Sequence, residues 1–215
     1  MTDKPAAPPA PSAARPAVKG AAPKKLAAVV GSAIGAALLF VGVPREESSR
    51  TVTATVHADQ SVTVRHVSGD QHLTAYLDIV KVATACDGVT RGVKAGQRFT
   101  VAECDAMNER ELVAHAEPVI ACIPSLYGRP YQAAAAIDLA YNVGTAGVCR
   151  SSLPRLAAAG TWSAFCDKLL EFNRAGGKVI RGLQRRRRRA WEACVTGIVA
   201  GKTPASLDAR VKAVR

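Results

Sequence analysis

One uninterrupted apolar run lies near the start of the chain. Residues 26–43 are 18 consecutive uncharged residues, LAAVVGSAIGAALLFVGV, with Lys24 and Lys25 before them and Arg45 after them. A run of this length is just sufficient for a helix to cross a bilayer. Positive charge lies mainly before the run, which indicates a cytoplasmic N-terminus. We therefore expect one transmembrane or signal-anchor helix, with a buried soluble helix and a cleaved signal peptide as the alternatives.

A different pattern comes after the apolar run. Residues 51–56 (TVTATV) and 61–67 (SVTVRHV) alternate with period two and are rich in β-branched residues. This alternation is typical of β-strands. Residues 44–68 are therefore interpreted as a linker or an added β-hairpin.

From Thr100 onward the apolar residues recur with a helical period. Thr100 and Glu103 have the spacing of a capping box, and Pro118 is expected to end the helix that they begin. Pro130 opens another helix, and further helices are predicted as far as Cys194.

Composition adds two tails and a strong positive charge. The 215 residues suffice for one domain, and the formal net charge is +12. Residues 1–25 are rich in Pro and Ala and are predicted to be a disordered cytoplasmic tail; residues 200–215 are predicted to be a flexible tail. The five arginines at 185–189 are compatible with a solvated helix face, a patch for anionic lipid or cell wall, or a nucleic-acid surface. The last is disfavoured because no aromatic residues are interleaved for base stacking.

Six cysteines lie in the second part of the chain: Cys86, Cys104, Cys122, Cys149, Cys166 and Cys194. None has Cys-x-x-Cys spacing, so a metal site is not expected. An even number of cysteines in one domain favours disulfides in an oxidising compartment, with six reduced core thiols as the alternative. The pairing stays open, since six cysteines allow about 15 connectivities.

Asp78 and Thr84 stand six residues apart within LTAYLDIVKVAT, residues 73–84. Four shorter segments come later in order: AYNVGT at 140–145, CRSS at 149–152, NRAGG at 173–177, and RGL at 181–183 with Arg186 and Arg187 just beyond. This ordered set spans just over half of the chain and resembles the phage lysozyme (endolysin) family, muramidases of the T4-lysozyme type.

The resemblance implies a fold and a location. The fold would be α+β and lysozyme-like over residues 69–199, with a small β-hairpin lobe followed by a larger helical lobe. The weakly hydrophobic run at 26–43 is similar in composition to the signal-anchor-release segments of some phage endolysins. The implied location is the inner membrane, with the C-terminal domain in the periplasm; whether the anchor leaves the membrane stays open.

The resemblance also implies catalytic residues. The family pattern is a Glu, eight residues, an Asp, five residues and a Thr. Asp78 and Thr84 match its last two members, so Asp78 would activate a water molecule and Thr84 would hydrogen-bond it. Counting back along the chain places Gly69 where the family has its general acid. Asp70 is the nearest candidate replacement, and the residues before Gly69 lack the helical pattern expected for the segment that bears the Glu.

Three further residues are candidate substrate contacts: Asn142 and Arg150 in the helical lobe, and Asp87 on the hairpin, where Cys86-Asp87-Gly88 replaces the family's Gly-Tyr-Gly. Tyr76, Leu77 and Ile79 are predicted to be buried around Asp78.

Two functions are compatible with these patterns. One is an endolysin that hydrolyses the β-1,4 bond between N-acetylmuramic acid and N-acetylglucosamine during phage-type host lysis. The other is a catalytically degenerate lysozyme fold that binds peptidoglycan or anionic membrane. The expected partners are peptidoglycan and, through residues 26–43, the inner membrane; no cofactor or nucleic acid is expected, and the oligomeric state is open.

Overall fold

The computed structural model describes residues 24–199, which contain eight α-helices and three two-stranded antiparallel hairpins. The predicted tails at 1–25 and 200–215 lie outside this range, apart from Lys24 and Lys25. The helices are α1 (Leu26–Val30), α2 (Ala33–Glu47), α3 (Val101–Cys122), α4 (Pro130–Val143), α5 (Thr145–Cys149), α6 (Leu153–Ala158), α7 (Trp162–Leu169) and α8 (Arg181–Val199). The strands are β1 (Thr51–Val56), β2 (Val62–Ser68), β3 (His72–Leu77), β4 (Ala83–Cys86), β5 (Arg174–Ala175) and β6 (Lys178–Val179).

The apolar run forms two helices rather than the single helix that its length predicts. Gly31 ends α1 in the left-handed conformation, with φ at +71°. A Cβ atom at this position would lie 2.7 Å from the Tyr127 ring, so only glycine fits the turn. Ser32 then caps α2 by accepting a hydrogen bond from the Gly35 backbone N–H. Tyr127 is distant in sequence, which is why hydrophobicity alone could not reveal the break.

Both helices of the apolar run belong to the core of the protein. Leu26, Val30, Ala36 and Leu39 are at most 1% exposed and join the same cluster as residues of α3, α4 and α8. Within residues 24–199, none of the helices has the length and apolarity needed to cross a membrane. The single transmembrane helix expected over residues 26–43 is therefore not seen in this structure, because Gly31 divides the run into two shorter helices.

The two alternating segments form a hairpin, β1–β2, between α2 and the rest of the chain. Its register runs from Val56 opposite Val62 to Thr51 opposite Ser68. The inner face includes Val52, which is 3% exposed, and β1 packs against α2. This is the added hairpin of the two options left open by the sequence.

The ends of this hairpin meet. A Cβ atom on Gly69 would lie only 2.7 Å from the Ser49 carbonyl oxygen and 2.9 Å from the Arg50 Cα. Gly69 also has φ at +85°, which glycine adopts without strain. The chain thus leaves the body of the protein at Ser49 and returns to the same place at Gly69.

The second hairpin, β3–β4, forms a small lobe that packs against the start of α3. Ala75, Ala85, Cys86, Cys104 and Met107 make a separate cluster of buried residues there. The burial predicted around Asp78 is wrong on this lobe: Ile79 is 99% exposed, Leu77 52% and Tyr76 41%. A two-stranded hairpin has one face against the protein, and these side chains lie at its open face and turn.

Helices α3 to α8 make the larger lobe. The Thr100–Glu103 capping box is present, with both reciprocal hydrogen bonds formed. Pro118 does not end α3, which continues to Cys122. An internal proline typically costs about 3 kcal/mol, and packing of α3 against α1, α4 and α5 offsets that cost.

Three disulfides connect the elements in sequence order: Cys86–Cys104, Cys122–Cys149 and Cys166–Cys194. They join β4 to α3, α3 to α5, and α7 to α8, respectively. The disulfide prediction is confirmed, and the pairing that the sequence left open is the nearest-neighbour one.

Candidate active site

Asp78 lies at the turn between β3 and β4 and stabilises this turn by hydrogen bonds. Its Oδ1 accepts hydrogen bonds from the backbone N–H groups of Val80, at 2.9 Å, and Val82, at 2.8 Å. The Asp78 backbone N–H also donates to the Val82 carbonyl oxygen. One carboxylate oxygen is therefore used by the turn, and the half-buried side chain keeps Oδ2 as a further acceptor.

Thr84 lies near Asp78 across the same hairpin. It pairs with Tyr76, and Asp78 comes two residues after Tyr76, in the turn beyond β3. Residues in this diagonal relation are about 7–8 Å apart. The Thr84 hydroxyl is oriented by donating to the Val82 carbonyl oxygen at 3.2 Å, and the residue is 6% exposed.

A carboxylate that the linear count missed stands at the end of α2. Glu47 is the last residue of this helix, and its Oε1 accepts a hydrogen bond of 2.6 Å from Arg186 Nη1. Its side chain lies over the turn after β4, since a Cβ atom on Gly88 would be 3.5 Å from the Glu47 Cβ. The side chain is 26% exposed, so it is both fixed and accessible.

Arg186 is shared between two carboxylates. Its Nε and Nη2 donate to Asp138 Oδ1 at 3.2 and 2.9 Å, while Nη1 serves Glu47. Burial works to lower the pKa of Arg186, but the Asp138 and Glu47 carboxylates outweigh it and raise the pKa above its usual value. Because Asp138 takes two of the donors, it anchors the guanidinium so that the third points at Glu47.

Arg187 and Tyr141 also lie in the neighbourhood of Arg186 and Glu47. Burial lowers the pKa of Arg187, whose Nη2 donates to the Asn142 side chain at 3.3 Å. Burial and then the Glu47 carboxylate raise the pKa of Tyr141, so its phenol stays neutral. Among residues 24–199, Arg186 is the cationic side chain that contacts Glu47 directly, and Tyr141 beside it is neutral.

The meeting of Ser49 with Gly69 brings the end of α2 close to the residues before β3. Removing the excursion, residues 50–68, leaves eleven residues between Glu47 and Asp78: 48, 49, 69 and 70–77. This is three more than the eight of the family pattern, so the count alone does not select Glu47. The carboxylate at the end of the preceding helix is Glu47, whereas a linear count stops at Gly69.

The structure separates the other predicted residues from this group. Asp70 is exposed just after the hairpin, and Asn142 is exposed near the end of α4, where it binds Arg187. Arg150 is exposed after α5. Within residues 24–199, no group of three or more His, Cys, Asp or Glu side chains is placed to hold a metal ion.

Asp87 was predicted to contact substrate, but the structure corrects this prediction because its side chain is buried. It is 1% exposed, and its carboxylate accepts hydrogen bonds from the Ser48 hydroxyl at 2.7 Å and from the Asn108 side-chain amide. Arg50 Nε lies 3.6 Å from Asp87 Oδ1. The residue instead joins the end of α2, the root of the added hairpin and α3.

One protein-family model matches the second part of the chain. The family model described as Phage lysozyme matches residues 69–190, more than half of the chain. The chain belongs to the phage lysozyme family. The match begins at Gly69, where the chain returns from the added hairpin, so α2 and Glu47 lie outside the matched region.

Named phage lysozyme relatives show the same extent of similarity. The SAR-endolysin of Enterobacteria phage P21 is 34% identical over 128 residues, covering 57% of this chain and 74% of that protein. The SAR-endolysin of Enterobacteria phage PA-2 is 35% identical over 127 residues, with the same coverage. Among solved structures, the active form of the P1 phage endolysin Lyz has a TM-score of 0.58 at 21% identity and covers 84% of this chain and 98% of that chain. The structural likeness confirms the α+β lysozyme-like fold.

Sequence reasoning missed Glu47, Asp138 and the inward role of Arg186. One signal that could have found Glu47 was present: Glu46 and Glu47 follow the apolar run closely, and an added hairpin was one interpretation of residues 44–68. A hairpin there means that a linear count back from Asp78 crosses extra residues, so a candidate acid could lie before it.

Proposed function

We propose that the chain is an endolysin that hydrolyses the β-1,4 bond between N-acetylmuramic acid and N-acetylglucosamine in peptidoglycan, with Glu47 as the general acid. The single observation that carries the proposal is the position of Glu47, held by Arg186 over the turn after β4. Cleavage of a glycosidic bond requires one carboxyl group to protonate the leaving oxygen and a second group to deliver water from the opposite side.

Asp78 and Thr84 are proposed to hold that water. Asp78 Oδ1 is fixed by two backbone N–H groups, which sets the direction in which Oδ2 points. The Thr84 hydroxyl donates to the Val82 carbonyl, so its lone pairs are free to accept from a water molecule. Asn142 and Arg150 are proposed substrate contacts in the helical lobe.

The experiment uses the purified, oxidised, full-length protein and measures new reducing ends released from peptidoglycan. Asp78→Asn preserves the acceptor oxygen of the turn while removing the charge, and we expect a rate loss of about 10²–10⁴-fold. Thr84→Val should also reduce the rate, whereas Thr84→Ser should retain most of it. Asp59→Asn, at the exposed tip of the added hairpin, is the control and should have no effect.

The competing function is a non-catalytic module that binds the wall. A folded protein that sediments with peptidoglycan and releases no reducing ends would establish that function and reject hydrolysis. Full activity in Asp78→Asn would instead reject the assignment of the water-holding residue.

We also propose that residues 26–43 lie first in the inner membrane and later fold into the core, with the domain in the periplasm. Support comes from the apolar composition of the run and from relatives named SAR-endolysins. The three disulfides fit an oxidising compartment. Fractionation of expressing cells should yield a membrane-bound pool and a soluble periplasmic pool of the same mass; a purely cytoplasmic protein would contradict the proposal.

A further inference from the structure

Ser48 connects the candidate acid to the hairpin that carries Thr84. It comes directly after Glu47 at the end of α2, and its hydroxyl lies 2.7 Å from Asp87 Oδ1 and 2.9 Å from the Pro44 carbonyl oxygen. A hydroxyl has one hydrogen to donate, and the charged carboxylate is the stronger acceptor. The Ser48–Asp87 bond therefore ties the last turn of α2 to the turn after β4.

Asp87 is the centre of a buried junction. Besides Ser48, it binds Asn108 of α3, and the Arg50 guanidinium lies beside it at the root of the added hairpin. Its neighbour Cys86 forms a disulfide with Cys104, which fastens the same turn to α3. Three elements thus converge on the residue that precedes Gly88, over which Glu47 lies.

Stability alone does not account for this junction. Arg50 is 2% exposed, and its Nε and Nη1 have no hydrogen-bond partner among the described residues. Its Nη2 reaches Asp105 Oδ1 at 3.2 Å. Unpaired buried donors are destabilising, and a buried ion pair is often no more stable than apolar residues of similar volume. What the junction does provide is a fixed position for the end of α2.

We propose that Asp87 is a positioning residue, acting through Ser48 to hold Glu47 in register with Thr84 and Asp78. This inference rests on the proposed function of Glu47. The acid and the water-holding residues lie on different elements, and the added hairpin separates them by many residues along the chain. A displacement of 1 Å between reacting groups can cost about 10²-fold in rate, so a chain with such an insertion needs a direct link between the two sides.

The test compares Ser48→Ala with Ser48→Thr in the full-length oxidised protein. Ser48→Ala should lower kcat by about 10- to 100-fold with KM nearly unchanged, because no proposed substrate contact is altered. The melting temperature should also fall, because the buried Asp87 carboxylate loses a hydrogen bond. Ser48→Thr keeps the hydroxyl and should restore kcat. A merely structural role would lower the melting temperature without separating kcat from KM.

Ser61→Ala is the matched control. The Ser61 hydroxyl donates to Asp59 Oδ1 at 2.7 Å, the same bond at the same length, but at the exposed tip of the added hairpin. Its loss should leave kcat unchanged. Asp87→Asn in combination with Ser48→Ala completes a double-mutant cycle, in which the two losses in kcat should be strongly non-additive.

The outcomes separate the inference from the function on which it rests. If Ser48→Ala has the parent kcat while Glu47→Gln is inactive, Glu47 remains the acid and the positioning role of Asp87 is rejected. If Glu47→Gln keeps the parent activity, the proposed function fails first, and the positioning role with it. If Asp87→Asn does not fold, the two Ser48 variants still decide.

Discussion

At the scale of single residues, Arg186 does the most to define the site. Its three donor groups serve Asp138 and Glu47, and its side chain is 7% exposed. A planar guanidinium can hold two carboxylates in fixed directions, which a lysine ammonium cannot do. The position of Glu47 therefore depends on a contact that spans most of the described chain, from α2 to α8.

Arg186→Ala should destabilise the protein by about 3–5 kcal/mol, because it leaves Asp138 and Glu47 without their shared cation. For a protein of this size the melting temperature should fall by roughly 6–20 °C. Arg185→Ala is the matched control, since Arg185 is the preceding residue on α8 and is exposed; its effect should stay within about 0.5 kcal/mol. Thermal unfolding followed by circular dichroism measures both, and equal shifts would contradict the buried role of Arg186.

At the scale of elements, the added hairpin β1–β2 has two dissimilar faces. Val52 on the inner face is buried against α2, while Thr53 on the outer face is exposed and pairs with Arg65 of the opposite strand. The hairpin thus covers one side of a helix that is apolar around most of its circumference. The hairpin β1–β2 therefore covers apolar side chains of α2 that would otherwise be exposed. Arg50, which directly precedes β1, lies beside Asp87.

Val52→Asp should unfold the hairpin from α2, since an unpaired charge would be buried without compensation. We expect a loss of about 3 kcal/mol or more, seen in the midpoint of urea unfolding. Thr53→Asp introduces the same side chain on the outer face, opposite Arg65, and should change stability by about 1 kcal/mol at most. A hairpin that is not packed on α2 would show the same small effect for both variants.

Local patterns predicted local structure well in this chain. Alternation identified both strands of the added hairpin, and the Thr100–Glu103 spacing identified the start of α3, because each depends only on neighbouring residues. The break at Gly31 depends on Tyr127, and the proposed position of the acid depends on the meeting of Ser49 with Gly69. Contacts of this kind join residues far apart in sequence, so no window along the chain contains them.

At the scale of the whole molecule, each of three disulfides stabilises a different part of the fold. The cysteines they join are separated by 18, 27 and 28 residues, and each bond links one secondary element to a later one. Closing loops of this length stabilises a protein by about 3 kcal/mol per bond. The first bond fastens the small lobe to α3, and the other two lie within the helical lobe.

Replacing Cys86 and Cys104 together by serine should therefore loosen the small lobe while the helical lobe stays folded. Hydrogen exchange should increase in β3 and β4, and wall hydrolysis should fall because Thr84 and Asp78 lie on this hairpin. Replacing Cys166 and Cys194 should instead lower the melting temperature of the whole protein. Peptide mapping under non-reducing conditions checks the three pairs, and a different pairing would contradict the structure.

The identity of the acid is the central claim, and one comparison tests it most directly: the rate of peptidoglycan hydrolysis by Glu47→Gln beside Asp70→Asn. The structure predicts that Glu47→Gln folds, still binds the wall and loses about 10²–10⁴-fold in rate. Asp70→Asn should cut at the parent rate. An active Glu47→Gln together with an inactive Asp70→Asn would contradict this assignment and would identify Asp70 as the general acid.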